Sequence, residues 1–390
     1  AAIFLLQCTV LDFVPDNTAT TPSNDATEEP PITRVAVPVT TDVPATPTIE
    51  AINILGKNLF NHGAQLNWTN SDVAKEMDLL SRLGFKWAKL QLRWCDISTG
   101  KTNAELSQIG KAIEAANARG IKVMLTIVCA PKWSRADGGV KGAGPPDDLQ
   151  EAANFMSGVS AFFCGKGLSA VEVWNEHNLL TEWHGKPISA AAYMEMLKAA
   201  YTEIKKKCPS IIVVSGAPTP TGVNSETAID DVLFLQQMYQ NGLKQYSDAI
   251  GAHPSGFCNA PDARVGTPNA CRTPDGKSQF NTHRSFFFRE TLEAYRAVMV
   301  QNGDAQKQIW ATEFGWGVDP APKPGYEYEK FISLDQQAQW LVKAYQMMKS
   351  YGYVGVATLW NLDFTDLTNE TGAFHIVGRP AFDALAGMSK

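Results

Sequence analysis

Residues 171–178 read VEVWNEHN. Apolar Ala170, Val171, Val173 and Trp174 enclose a single Glu172, and the run then stops at Asn175 and Glu176. A short, mostly apolar run is the pattern of a strand buried on both faces in a parallel sheet. A carboxylate at the tip of such a strand is out of place in a core, because Glu is seldom buried unless it is paired or at work. The bland alternative is a strand that exits into a polar loop. If several strands end this way, their tips share one rim, and in a closed barrel that rim is where active sites are built.

Outward from this stretch, apolar runs alternate with helical periodicity. Expected strands are 63–67, 85–93, 121–128, 170–174, 211–216, 249–253, 309–313 and 354–360. Expected helices are 71–83, 103–119, 147–163, 189–206, 227–244, 282–302 and 333–350, with a short helix after Pro380. In the first helix Ser71 is the expected N-cap, Val73, Met77, Leu80 and Leu83 form the apolar stripe, and Gly84 ends it. Eight strands alternating with helices within residues 50–390 predict a (β/α)₈ TIM barrel of the α/β class. A doubly wound open sheet is the competing architecture, but no glycine-rich phosphate turn follows the first strand.

The 390 residues, 44% hydrophobic, suffice for one large core. Net charge is −6, and no Lys/Arg-rich run offers a nucleic-acid surface. No apolar stretch reaches the ~18 residues of a membrane span. Residues 1–8, AAIFLLQC, resemble the tail of a lipoprotein export signal, although Gln7 stands where a small residue usually precedes the cysteine. Residues 9–49 are rich in Thr, Pro, Asp, Glu and Ala, a composition that cannot bury enough surface to offset its ordering entropy. The expected layout is a signal remnant, a disordered stalk over 9–49 and a catalytic barrel over 50–390. Such a protein would be extracellular or at the cell surface, monomeric, and tied to a membrane only through a lipid on Cys8. The seven cysteines show no metal-type spacing, so no metal or cofactor is expected. Cys258 and Cys271 are expected to close the proline-rich loop after strand six. Cys164 and Cys208, ahead of strands four and five, are candidates to meet at the barrel bottom. Cys95 and Cys129 are left unassigned.

The strand ends carry the chemistry. Strand two ends in Arg93, strand three leads to Trp133, and strand four ends in Asn175-Glu176. Strand six ends in His253, strand seven in Glu313, and strand eight in Trp360. Core packing does not ask for that set. Two carboxylates facing each other across a barrel are what glycosidic cleavage needs, one as proton donor and one beside the anomeric carbon. Mutual repulsion separates their proton affinities. Arg93 near Glu313 would keep the latter ionised. Once Glu313 is glycosylated its charge vanishes, and Glu176 becomes a base toward water. Weighed singly, Arg93 is an ion-pair partner and His253 a core histidine. Trp174 and Trp310 belong to the core, and Glu172 and Glu182 are solvated or structural. Trp133, Trp183, His184 and Trp316 are loop residues and candidate sugar-binding surfaces.

With WNE after strand four and TEFGW after strand seven, the chain resembles the clan A retaining glycoside hydrolases over residues 50–390. Family 39 is the nearest likeness and the cellulase-like family 5 the next. The resemblance implies Glu176 as acid/base, Glu313 as nucleophile, Asn175 on the sugar 2-hydroxyl and Trp360 as the floor of the −1 subsite. Arg93 and His253 match its further rim positions. Many clan members carry a Tyr near strand six that hydrogen-bonds the nucleophile. Here that stretch is His253-Pro254-Ser255, and Ser255 is the candidate replacement. The substrate expected is a β-linked glycan of β-glucan or β-xylan type, cleaved internally. The rival reading is a silent glycan-binding barrel on a stalk.

Overall fold

The computed structural model describes residues 60–69, 72–140, 142–268, 270–271 and 279–390. The Cys8 anchor, the 9–49 stalk and the Ser71 cap lie outside the described residues. Eight parallel strands alternate with helices: β1 (Asn61–Gln65), β2 (Trp87–Arg93), β3 (Lys122–Val128), β4 (Leu168–Val173), β5 (Ile212–Ser215), β6 (Ile250–Ala252), β7 (Ile309–Phe314) and β8 (Val354–Leu359). Pairing runs from β5 through β4, β3, β2, β1, β8 and β7 to β6. A parallel bridge between Val214 and Ala249 joins β5 to β6 and closes the barrel. The expected (β/α)₈ architecture is the observed one.

The helices are α1 (Val73–Arg82), α2 (Ser107–Asn117), α3 (Leu149–Phe162), α4 (Ala190–Lys207), α5 (Asp231–Gln240), α6 (Phe288–Gln301), α7 (Leu334–Tyr351) and α8 (Pro380–Ala386). Several start later than expected, each for a local reason. Asp72 caps α1 by accepting from the Lys75 amide at 3.1 Å. Asp230 caps α5 by accepting from the Val232 and Leu233 amides. Ahead of α2, Ser98–Gly100 and Asn103–Ala104 pair as a small antiparallel ribbon instead of extending the helix.

Inside the barrel, Trp87, Met124, Ala170, Ile212, Val214, Ala249, Trp310 and Val356 form an apolar layer. Trp87 and Trp310 meet edge to face, 5.0 Å between ring centroids. Small alanines at 170 and 249 make room for them, as close packing of a barrel interior demands. Gly63 serves the same packing, since a Cβ there would lie 2.7 Å from the Trp87 carbonyl oxygen. Side chains alternate along a strand, so two residues on from Trp87, Met124 and Ala170 the interior holds Lys89, Thr126 and Glu172. The barrel thus changes from apolar to charged as it approaches the rim.

Three disulfides are present: Cys258–Cys271, Cys164–Cys208 and Cys95–Cys129, with Cα separations of 5.4, 5.9 and 5.3 Å. The first is the expected bridge, and the second joins the pair that were candidates to meet. The third ties the end of β2 to the end of β3.

Candidate active site

The tip of β4 is a strained turn. Trp174 and Glu176 both take positive φ, 71° and 41°, although neither is glycine. Non-glycine residues persist there only when the surroundings hold them, and such residues gather at functional sites. The surroundings are visible. The Trp174 amide donates to the Ile127 carbonyl on β3 and the Glu176 amide to the Ala217 carbonyl after β5. The Tyr193 hydroxyl donates to the Val173 carbonyl at 3.0 Å and accepts from the Gly216 amide at 2.6 Å. Asn175 and Glu176 emerge from this clamp 1% and 4% exposed.

Glu313 reaches the same space from β7. Strict alternation with Trp310 and Thr312 would turn Glu313 outward. Between the pairs Ala311–Ala357 and Phe314–Leu359, β7 contributes one residue more than β8. A bulge of this kind re-aims a side chain. The Thr358 hydroxyl donates to the Ala311 and Thr312 carbonyls and pins the bulge.

The two carboxyls are anchored from different sides. Glu176 Oε1 lies 3.0 Å from His253 Nδ1, while its Oε2 has no hydrogen-bond partner. Glu313 Oε1 lies 2.5 Å from Lys89 Nζ, and its Oε2 is 3.9 Å from His253 Nδ1. Ligand atoms of Glu176, His253 and Glu313 all fall within 4.8 Å of one another. That set has the composition of a cation site, but the Lys89 ammonium already supplies positive charge to Glu313. Burial works against a charged His253, and the Glu313 and Glu176 carboxylates outweigh it, so its proton affinity is raised. The Asn175 Oδ1, on the residue next to Glu176, is buried and without a hydrogen-bond partner among the described residues.

Lys89 is the residue that sequence reading missed. It is fully buried and stands between Glu313 and Glu172, whose Oε2 is 3.6 Å from Nζ and accepts from Thr126 Oγ1 at 2.5 Å. The expected Arg93–Glu313 contact is not made. The Arg93 Nε donates to Asp96 at 3.0 Å, and its Nη2 lies 3.5 Å from both sulfurs of the Cys95–Cys129 bridge. Lys89 sits four residues deeper on the same inward face and makes the contact to Glu313 that was expected of Arg93. It also answers the departure at strand six. Ser255 makes no hydrogen bond to Glu313 among the described residues, and the ammonium supports that carboxylate instead. The signal was a Lys in the apolar run WAKLQLR, in step with Trp87 and Arg93.

Among the proposed sugar-binding aromatics, two do not reach the cleft. Trp183 is fully buried, edge-on to Trp174 at 5.8 Å. Trp316 is 1% exposed, donates from Nε1 to the Asn259 carbonyl and packs on Phe288 and Trp340. Large rings are claimed by core packing where neighbouring helices enclose them. Trp360 stays partly exposed at the tip of β8, edge-on to Phe364, and the Trp360–Asn361 peptide is cis. Trp133 and His184 also stay partly exposed. Trp133 donates to Ser98 Oγ at 3.3 Å and meets Trp94 edge to face. Trp174 and Trp310 are core residues, as expected.

No protein-family model matches the sequence, and comparison with curated proteins finds no match. Solved structures do match. A family 39 glycoside hydrolase from Bacteroides cellulosilyticus WH2 superposes with a TM-score of 0.59 at 18% identity, over 85% of this chain and 63% of that one. The chain therefore spans less than two thirds of that protein. A family 39 β-xylosidase from Caulobacter crescentus superposes at 0.56 and 17% identity, over 85% and 71%. The Pseudomonas stutzeri endoglucanase Cel5A superposes at 0.50 and 13% identity, over 84% and 92%. The fold is the TIM barrel of these glycoside hydrolases, and the expected resemblance to families 39 and 5 holds at that level.

Proposed function

We propose that the protein is a retaining glycoside hydrolase acting on β-linked glycans by double displacement. The carrying observation is the pair of carboxyls with oxygens within 4.8 Å of each other, Glu176 anchored by His253 and Glu313 by Lys89. Short separation is the retaining geometry; inverting enzymes need a wider gap for water. In the first step Glu313 attacks the anomeric carbon while Glu176 gives its proton to the departing oxygen. A glycosyl ester on Glu313 and a free alcohol result. In the second step Glu176 takes a proton from water, the water oxygen attacks the anomeric carbon, and Glu313 leaves as carboxylate. In this proposal Asn175 binds the 2-hydroxyl and Trp360 forms the floor of the −1 subsite, the roles that the resemblance to clan A implies.

Internal cleavage of a β-glucan or β-xylan remains the proposed mode, resting on the long loops after β3, β4 and β6. Trp133, His184 and Trp360 are the surfaces available to a chain of sugars. The disulfides suit an oxidising compartment, in accord with an extracellular or surface location. No described helix is long and apolar enough to cross a membrane. Attachment through a lipid on Cys8, and a monomeric state, belong to the same proposal.

Aryl β-glycosides with good and poor leaving groups test the roles. Glu313→Ala should abolish turnover. Glu176→Ala should lose about 10²–10⁴-fold on poor leaving groups and far less on good ones. Azide should give the β-azide only with the Glu176 variant; with Glu313→Ala it should not restore a β-product, since a single direct displacement inverts the anomeric centre. Equal loss for all leaving groups in both variants would overturn the assignment. Glycan binding without turnover by the wild-type chain would establish the silent barrel instead.

A further inference from the structure

We propose that Tyr193 is a positioning residue for Glu176, aiming the proton donor without touching substrate. The proposal deepens the hydrolase reading and rests on it. Tyr193 is fully buried in the first turn of α4, the helix that crosses from β4 to β5. From there its hydroxyl reaches the ends of both strands. It donates to the carbonyl of Val173, the last residue of β4, at 3.0 Å. It accepts at 2.6 Å from the amide of Gly216, which directly follows β5. The hydroxyl thus spends its donor and an acceptor site on backbone groups of two strands.

Its ring holds the other side of Glu176. The ring stacks on His177, 3.5 Å between centroids and 11° between planes, and His177 directly follows Glu176. The His177 ring is fully buried, and neither of its nitrogens has a hydrogen-bond partner among the described residues. Burial, then the charge of His253, holds its pKa well below the usual value. A neutral ring without hydrogen bonds takes its orientation from what it packs on. Gly216 completes the fit, since a Cβ there would lie 2.5 Å from the Val173 carbonyl oxygen and 3.0 Å from His177 Nδ1. One side chain therefore grips the backbone three residues before Glu176 and the ring one residue after it.

The gripped span is the strained one. Trp174 and Glu176 lie inside it with positive φ, a conformation that non-glycine residues keep only when their surroundings impose it. The aim of the Glu176 carboxyl follows from that backbone, and relaxing it swings Oε1 away from His253 Nδ1, now 3.0 Å distant. Glu313 is aimed by other parts, the Lys89 ammonium and the bulge that Thr358 pins. Loosening the Tyr193 grip should disturb proton transfer and spare nucleophilic attack.

Tyr193→Phe tests this, because it keeps the stacked ring and deletes the hydroxyl. On phenyl β-glycosides, whose departing oxygen needs the proton, kcat/KM should fall about tenfold or more, and on dinitrophenyl β-glycosides it should stay within about threefold of wild type. On the latter, kcat and KM should fall together, because Glu176 is also the base of the second step. Tyr345→Phe is the control. It deletes another buried hydroxyl bond, 2.7 Å to the Gly63 carbonyl on β1, and should lower the melting temperature with no leaving-group dependence. Nitrogen NMR of isotope-labelled histidine reads the Glu176 contact without substrate. The His253 Nδ1 signal should move in Tyr193→Phe in the direction that Glu176→Gln moves it. Equal losses on both substrates, no loss on either, an unmoved His253 signal, or the same leaving-group dependence in Tyr345→Phe would each overturn the proposal while leaving the hydrolase reading intact. If wild type cleaves no β-glycoside, the hydrolase reading fails and the His253 signal alone decides on Tyr193: a moved signal supports the grip on Glu176, and an unmoved one overturns it.

Discussion

Lys89→Met is the substitution with the most to say about the site. Methionine keeps an unbranched apolar stem of similar length and deletes the ammonium. That ammonium is fully buried, 2.5 Å from Glu313 and 3.6 Å from Glu172. Breaking a buried ion pair by removing one partner costs about 3–5 kcal/mol, because the remaining charge is left uncompensated. The shorter contact puts the larger share on Glu313, the proposed nucleophile. If about 3 kcal/mol bears on its ionised form, kcat/KM should fall roughly a hundredfold, at 1.4 kcal/mol per factor of ten. Global stability should fall by a similar energy. Adding Glu172→Gln separates the two effects. It removes the second stranded charge, so the double variant should recover about 0.5–3 kcal/mol relative to additivity. It should recover no activity, because Glu313 still lacks its cation. Urea denaturation and hydrolysis of a chromogenic β-glycoside read the two quantities. If Lys89→Met keeps kcat/KM within about threefold of wild type while losing the expected stability, Lys89 supports the fold and not the nucleophile.

Two further expectations concern stability. His62, on β1, packs among Phe60, Phe85 and Tyr345, and burial, then Lys390 and Lys349, lower its pKa to about 4. The unfolded chain takes up this proton as pH falls through about 6.5, and the folded chain only near 4, so stability should drop across that window by up to about 3 kcal/mol. His62→Phe should flatten the slope between pH 6.5 and 4.5 in urea midpoints, and an unchanged slope would refute the assignment. The Cys164–Cys208 bridge spans 44 residues, for which chain entropy gives about 4 kcal/mol. Replacing both cysteines with serine should cost about 2–4 kcal/mol and leave catalysis intact, and peptide mapping without reductant should show the bridge directly.

What the sequence made legible follows from what chain continuity alone decides. Strand order, helix alternation and the residues at strand tips are properties of the backbone, so Asn175, Glu176, His253, Glu313 and Trp360 could be placed at one rim from patterning. Burial of a ring is a property of what lies across from it. Trp183 and Trp316 look like loop residues in the chain, yet Trp174, Tyr193, Phe288 and Trp340 enclose them. Lys89 and Glu172 were hidden for a different reason. Each is an anomaly in an apolar strand that makes sense only with its partners on other strands: Glu313 and Glu172 for Lys89, Lys89 and Thr126 for Glu172. A pairwise explanation cannot be found by judging residues one at a time. The inward step shared by Trp87, Lys89 and Arg93, and by Ala170 and Glu172, was nevertheless present in the spacing. Parity along parallel strands points both charges into one barrel, where Lys89 lies between Glu172 and Glu313. Support for Glu313 then comes from below, through β2, which is why a rim lacking the strand-six tyrosine still presents a complete pair of carboxyls.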